Sequence, residues 1–149
     1  MEKSDAEFMM RLVNTPGWLQ YIGDRNIHTL DEATAYIEKI HHTPKFYYSV
    51  IEKTDSAEAI GILSFIYRQN YDFPDFGFAL LPEFQKAGYA AEASNAYLQE
   101  LVTQEPRILA ITKEGNTSSI SLLRKLGFTF YSKDIEGTDN IFIYSSNPE

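Results

Sequence analysis

A mixed α/β fold is predicted, with a mostly antiparallel sheet, helices on both of its faces and one parallel strand–helix–strand crossover. Three observations predict it. Apolar residues recur at helical spacing through the first 40 or so positions, then change to an extended pattern near Phe46. An apolar run over 76–81 leads through a small-residue loop into a long Ala-, Glu- and Gln-rich segment. A short, wholly apolar run over 108–111 follows, of the kind buried in parallel pairing. Two such strands joined by a helix make a right-handed crossover.

Each element has a local reason. Ser4 and Glu7 have capping-box spacing ahead of the stripe Phe8, Met9, Leu12 and Val13. Pro16 and Gly17 break that helix, and Trp18, Leu19, Tyr21 and Ile22 suit a short second one. Thr29 and Glu32 repeat the box before Ala33, Tyr36, Ile37 and Ile40. Strands over 46–51 and 59–67, with a turn at Thr54, Asp55 and Ser56, predict a hairpin. Pro82 and Glu83 end the central strand, and the next helix runs to about Thr103. Asn116 caps a helix over 118–126, and Gly127 closes it. Strands over 128–132 and 141–144, joined by a polar loop containing Gly137, complete the chain.

Composition narrows the function. At 149 residues the chain suits one domain, 1–149, with one core. A net charge of -8 argues against a nucleic-acid partner and mildly favours a cationic one such as an amine. The absence of Cys removes thiolate chemistry and disulfides. No apolar run approaches the ~20 residues of a membrane span, and the polar start resembles no signal peptide. The expectation is a cytoplasmic protein without membrane contact. His28, His41 and His42 form no metal-ligand pattern.

The loop after the central strand carries the strongest functional signal. Gly88 permits a turn with positive φ and close approach of a ligand. The small Ala87, Ala90 and Ala91 leave the first N–H groups of the following helix uncovered, which makes a phosphate or pyrophosphate site. The pattern Gln85-x-x-Gly88-x-Ala90 resembles the pyrophosphate loop of the GNAT N-acetyltransferases. A second stretch, Asn116-x-x-Ser119 followed by Lys125-x-Gly127-Phe128, resembles that family's other signature, at the family's separation from the first. Gly77, Phe78, Tyr89 and Glu92, and further upstream Trp18, Gly23, Asp24 and Arg25, are similar to the ribosomal-protein-type branch.

That resemblance implies an acetyl-CoA-dependent N-acetyltransferase acting on a primary amine, either a protein N-terminus or a small molecule. It puts the cofactor between the strands at 76–81 and 108–111. It implies that Ala79 and Leu80 bond the pantetheine arm, that the amides of Lys86, Ala87, Gly88, Tyr89 and Ala90 behind Gln85 hold the pyrophosphate, and that Asn116 reaches the pantetheine amides. Lys86, Arg124 and Lys125 are candidates for the 3′-phosphate.

For the chemistry, the N–H of Leu80 or Leu81 is the expected oxyanion donor. Ser119 and Tyr131 are the candidate acids for the departing thiolate, because Leu123 stands where many members have a Tyr. Asp75, Asp72 and Glu52 are candidate bases. The family's usual first strand has no counterpart here, which leaves the strand at 46–51 as an edge and predicts a homodimer or a protected edge. A non-catalytic acyl-CoA-binding module is the alternative expectation.

Overall fold

The computed structural model describes residues 1–146. Its elements in order are α1 (Ala6–Val13), α2 (Pro16–Tyr21), α3 (Leu30–His42), β1 (Phe46–Glu52), β2 (Ala59–Ile66), β3 (Asp75–Leu80), α4 (Tyr89–Leu101), β4 (Leu109–Lys113), α5 (Thr117–Lys125), β5 (Thr129–Glu136) and β6 (Asp139–Ser145). The six strands form one sheet in the order β1-β2-β3-β4-β6-β5. β3 and β4 run parallel, and every other neighbouring pair is antiparallel. β1 is one edge, and no strand precedes it among the described residues. No helix among these residues is long and apolar enough to cross a membrane.

Strand alternation sends side chains to two cores. Leu63 and Phe65 of β2 and Phe76 of β3 pack with Leu98 of α4 and Ile120 and Leu123 of α5. Ile62 and Leu81 face the other way, onto Met9, Leu12, Trp18 and Ile37 of α1, α2 and α3. The sheet is therefore covered on both faces. β3 lies at its centre and contributes to both cores.

Two local expectations are corrected. The first helix is entered through a capping box of Glu2 and Asp5 around a single 3-10 turn at Lys3–Asp5, so Ser4 sits inside the turn and does not cap it. The Gly137 region is a tight hairpin turn, because β5 and β6 pair out to Glu136 and Asp139 and Gly137 takes φ +63°. The box of Thr29 and Glu32 forms as its spacing requires, with Glu32 N–H donating to Thr29 Oγ1 at 3.1 Å.

Candidate active site

β3 and β4 meet at one register pair, Asp75 with Leu109, and then part. The Leu109 N–H donates to the Pro74 carbonyl at 2.8 Å, and beyond that pair the strands diverge into a gap. On its other side β3 stays paired with β2 from Asp75 to Leu80. The Leu81 N–H donates to the Ile60 carbonyl at 2.9 Å. Backbone polar groups alternate sides along a strand, so the N–H and C=O of Phe78 and Leu80 point away from β2, into the gap. Gln85 Nε2 donates to the Leu80 carbonyl at 3.3 Å, as that orientation allows. Of the two expected oxyanion donors, Leu80 therefore faces the gap and Leu81 does not. Of the two residues expected to bond the pantetheine arm, Leu80 can, whereas Ala79, whose N–H and C=O point to Ile62 of β2, contributes only to the wall.

The loop after β3 turns sharply. A single 3-10 turn, Pro82–Phe84, leads to Lys86 at φ +63° and Gly88 at φ +86°. Gly88 is the N-cap of α4, and no side chain caps that helix. The first-turn amides thus face outward beside two left-handed residues, an arrangement suited to an anion. Lys86 holds a backbone conformation that costs a non-glycine residue about 1 kcal/mol, a form of strain that gathers at ligand sites.

Across the gap, α5 begins at Asn116. Its Oδ1 accepts the Ser119 N–H at 3.3 Å, so the residue is a helix cap, and its amide nitrogen is a donor that the cap leaves over. Asn116→Ala is expected to lower stability by about 1 kcal/mol through loss of the cap and also to weaken coenzyme A binding. Thr29→Ala is expected to cost a similar ~1 kcal/mol with no change in that affinity. Urea unfolding and calorimetric titration of both variants separate the two roles of Asn116.

These elements enclose a groove of about 510 Å³. Ala79, Leu80, Gln85, Lys86, Gly88, Tyr89, Ala90, Asn116 and Ser119 all line it. Ala87 is exposed on the loop and contributes no wall. Lys125 joins the lining and Arg124 does not. Lys86 and Lys125 are the charged side chains of this lining. A larger cavity of about 640 Å³ between β1 and α4 carries Glu52, Asp55, Glu92 and Glu100 against Lys53. Charge decides between the two, since phosphates are repelled by the second and attracted by the first.

The far wall of the groove was not read from the sequence as part of a site. Thr15, Gly17, Trp18, Tyr21 and Ile22 of α2 and its flanks form it. Tyr21 Oη donates to the Gly115 carbonyl at 3.4 Å, and Lys113 Nζ donates to the Gln20 carbonyl at 3.1 Å, tying α2 to the end of β4. The Trp18 indole N–H is buried with no hydrogen-bond partner among the described residues, while the residue's remaining surface contributes to the groove wall. The signal was the aromatic-rich six-residue helix itself, which leaves Leu19 and Ile22 about two-fifths exposed.

Two expected participants, Asp75 and Tyr131, lie elsewhere, and so does the position of the missing Tyr. Asp75 begins β3, five residues or about 16 Å along the strand from Leu80. It is buried, with Oδ2 accepting from Arg68 Nε at 2.9 Å and Oδ1 from the Ile111 N–H at 3.3 Å. Both oxygens are engaged at the closed end of the gap and Asp75 does not line the groove, so it is not placed as a base beside Ser119. Tyr131 sits at the irregularity between Phe130 and Ser132 on the other edge strand, and Arg107 lies 4.9 Å from the centre of its ring. It does not line the groove that Ser119 lines. Leu123, at the position of the missing Tyr, is 1% exposed in the core and does not face the groove.

Burial pushes the Asp75 carboxyl up to about 6, against the opposing pull of Arg68 and the Ile111 N–H, with Glu136 adding to the rise. The native state therefore holds this proton more tightly than the unfolded chain. Its contribution to stability is complete below the ordinary carboxylate range and is lost as pH rises through 6. Asp75→Asn lacks this dependence. Relative to the variant, the wild type is expected to lose on the order of 2–3 kcal/mol between about pH 4 and about pH 7.5, measured by urea unfolding at both.

The residues present fit coenzyme A. The open side of β3 can take an amide-bearing arm as an added strand. The uncapped start of α4 and two lysines suit a pyrophosphate. A splayed parallel pair with an anion-binding helix start suits an acyl-CoA-binding protein.

The comparisons agree. Residues 1–129 match the family model described as an acetyltransferase (GNAT) domain, and the chain belongs to the GNAT acetyltransferases. It is thus an acetyl-CoA-dependent acyltransferase. A ribosomal-protein-S5-alanine acetyltransferase from Vibrio fischeri superposes with a TM-score of 0.78 at 18% identity, covering 97% of this chain and 88% of that one. A GNAT acetyltransferase from Bacillus anthracis gives 0.78 at 21%, with 97% and 90% covered. A spermidine N-acetyltransferase from Vibrio cholerae, in complex with CoA and spermine, gives 0.79 at 19%, again with 97% and 90% covered. At these identities the likeness establishes the fold. No curated protein matches the chain significantly by sequence.

Proposed function

We propose that this enzyme transfers an acetyl group from acetyl-CoA to the α-amine of a protein or peptide N-terminus, as a member of the ribosomal-protein-type branch. The observation that carries this reading is the groove's charge. Its lining supplies Lys86 and Lys125 and no carboxylate. An alkylammonium, with a pKa near 10.4, is neutral in only about one molecule in a thousand near pH 7.5 and needs a strong means of losing its proton. A peptide α-amine, with a pKa near 8, is already about a quarter neutral there.

When bound, the cofactor supplies an activated thioester. The Leu80 N–H faces the gap and is the donor to the developing oxyanion. Ser119 lines the opposite wall and is the group that passes a proton to the departing thiolate as the C–S bond breaks, regaining one from the acceptor nitrogen as the amide forms. Gln85 braces the Leu80 carbonyl, which fixes the strand end that carries the donor. The Trp18 indole and Tyr21 form the acceptor's side of the groove.

The test supplies acetyl-CoA with a panel of free-amine peptides, spermidine and lysine, and reads coenzyme A release and product mass. Acetylation confined to peptide α-amines is expected. Faster turnover of spermidine would overturn the acceptor assignment and leave the acetyltransferase intact. Cofactor binding with no turnover of any amine would favour a binding module.

A further inference from the structure

We infer that Asp75 is the wedge that holds β3 and β4 apart, a positioning residue for the cofactor groove. The inference rests on the reading that coenzyme A occupies that groove. Parallel strands exchange evenly spaced hydrogen bonds, so a ladder begun by the Leu109 N–H on the Pro74 carbonyl would continue with the Ile111 N–H on the Phe76 carbonyl. The structure breaks the ladder at that rung. The Ile111 N–H donates instead to Asp75 Oδ1 at 3.3 Å, and no register pair follows Asp75 with Leu109. An interior N–H left without a partner would draw the strands together. The Asp75 carboxylate satisfies that amide from the side and removes the pull. Arg68, in the connection after β2, donates to the other carboxylate oxygen at 2.9 Å and fixes the wedge from behind.

The geometry separates Asp75 from chemistry at the reacting atoms. It sits where the gap opens, and the groove lining takes its strand residues, Phe78 to Leu80, from further along β3. Its effect on the reaction runs through the width of the gap and hence through cofactor affinity. Any residue that offers Ile111 an acceptor should keep the gap open. One that offers none should let β3 and β4 close.

Calorimetric titration of coenzyme A into wild type, Asp75→Asn and Asp75→Val tests this. The Asn oxygen is expected to stay with the buried Ile111 amide, because Arg68 is 43% exposed and can turn to solvent. Asp75→Asn should bind within about 3-fold of wild type, and Asp75→Val at least about 30-fold more weakly. Wild-type affinity in Asp75→Val, or an equal loss in Asp75→Asn, overturns the wedge. Amide hydrogen exchange of the cofactor-free wild type asks the same question should Asp75→Val not fold. Ile111 is expected to exchange as slowly as Leu109, and exchange at the rate of an open amide overturns the inference. Wild type that binds no coenzyme A contradicts the groove assignment instead, and the exchange measurement still decides the wedge.

Discussion

Gly88→Glu is expected to weaken coenzyme A binding by at least about 100-fold, more than about 2.7 kcal/mol, with the circular dichroism spectrum unchanged. Gly88 is the N-cap of α4 at φ +86°, and a Cβ built there meets nothing within 4 Å. The Cβ itself therefore causes no clash. The substitution acts through a strained backbone, costing about 1 kcal/mol, and through a carboxylate set at the amides that receive the pyrophosphate. Gly88→Ala separates the two effects, since it carries the strain without the charge. It is expected to lower Tm by a few degrees, roughly 2–4 °C per kcal/mol, and to retain most of the affinity. Titration calorimetry on both variants is the check. Equal loss in both would assign the effect to backbone distortion and remove the reason for placing phosphates at this helix.

Phe76→Ala is expected to be the most destabilising single change near the site, costing about 3–5 kcal/mol. Phe76 is 1% exposed and is the second residue of β3, the strand at the middle of the sheet. Its ring packs with Phe78, Tyr97 and Phe128 at centroid separations of 6.0, 6.2 and 6.4 Å. Truncation removes a side chain that joins β3 to α4 and to the residue leading into β5, and the aromatic neighbours can collapse only partly. A fall in Tm of roughly 10 °C or more follows for a chain of this size. Urea unfolding measures the free energy directly. A loss below about 1 kcal/mol would mean that the central core is looser than its burial implies.

Much of this was legible in the sequence because the signals are local. The change of period near Phe46 separates helices from sheet, the Thr29–Glu32 spacing marks the start of α3, and Asn116 marks the start of α5. The Gln85–Ala90 loop announces an anion site because the loop's own backbone makes it. What was not legible depends on tertiary placement. Asp75 and Tyr131 have side chains suited to proton transfer, but register sets one at the closed end of the gap and the other on an edge strand beside Arg107. The wall formed by α2 is built by packing across a gap that no local pattern encodes. The Ser4 box failed for a subtler reason, since Glu2 and Asp5 offered the same reciprocal bonds two residues earlier.

Amide hydrogen exchange with and without saturating coenzyme A tests most directly whether the cofactor sits between β3 and β4. Protection is expected at Phe78 and Leu80, across residues 85–91 and at 116–119, with Leu81 already slow in the free protein because its N–H is bonded to Ile60. Protection centred on the acidic cavity between β1 and α4, or none at saturation, would contradict a cofactor seated between β3 and β4.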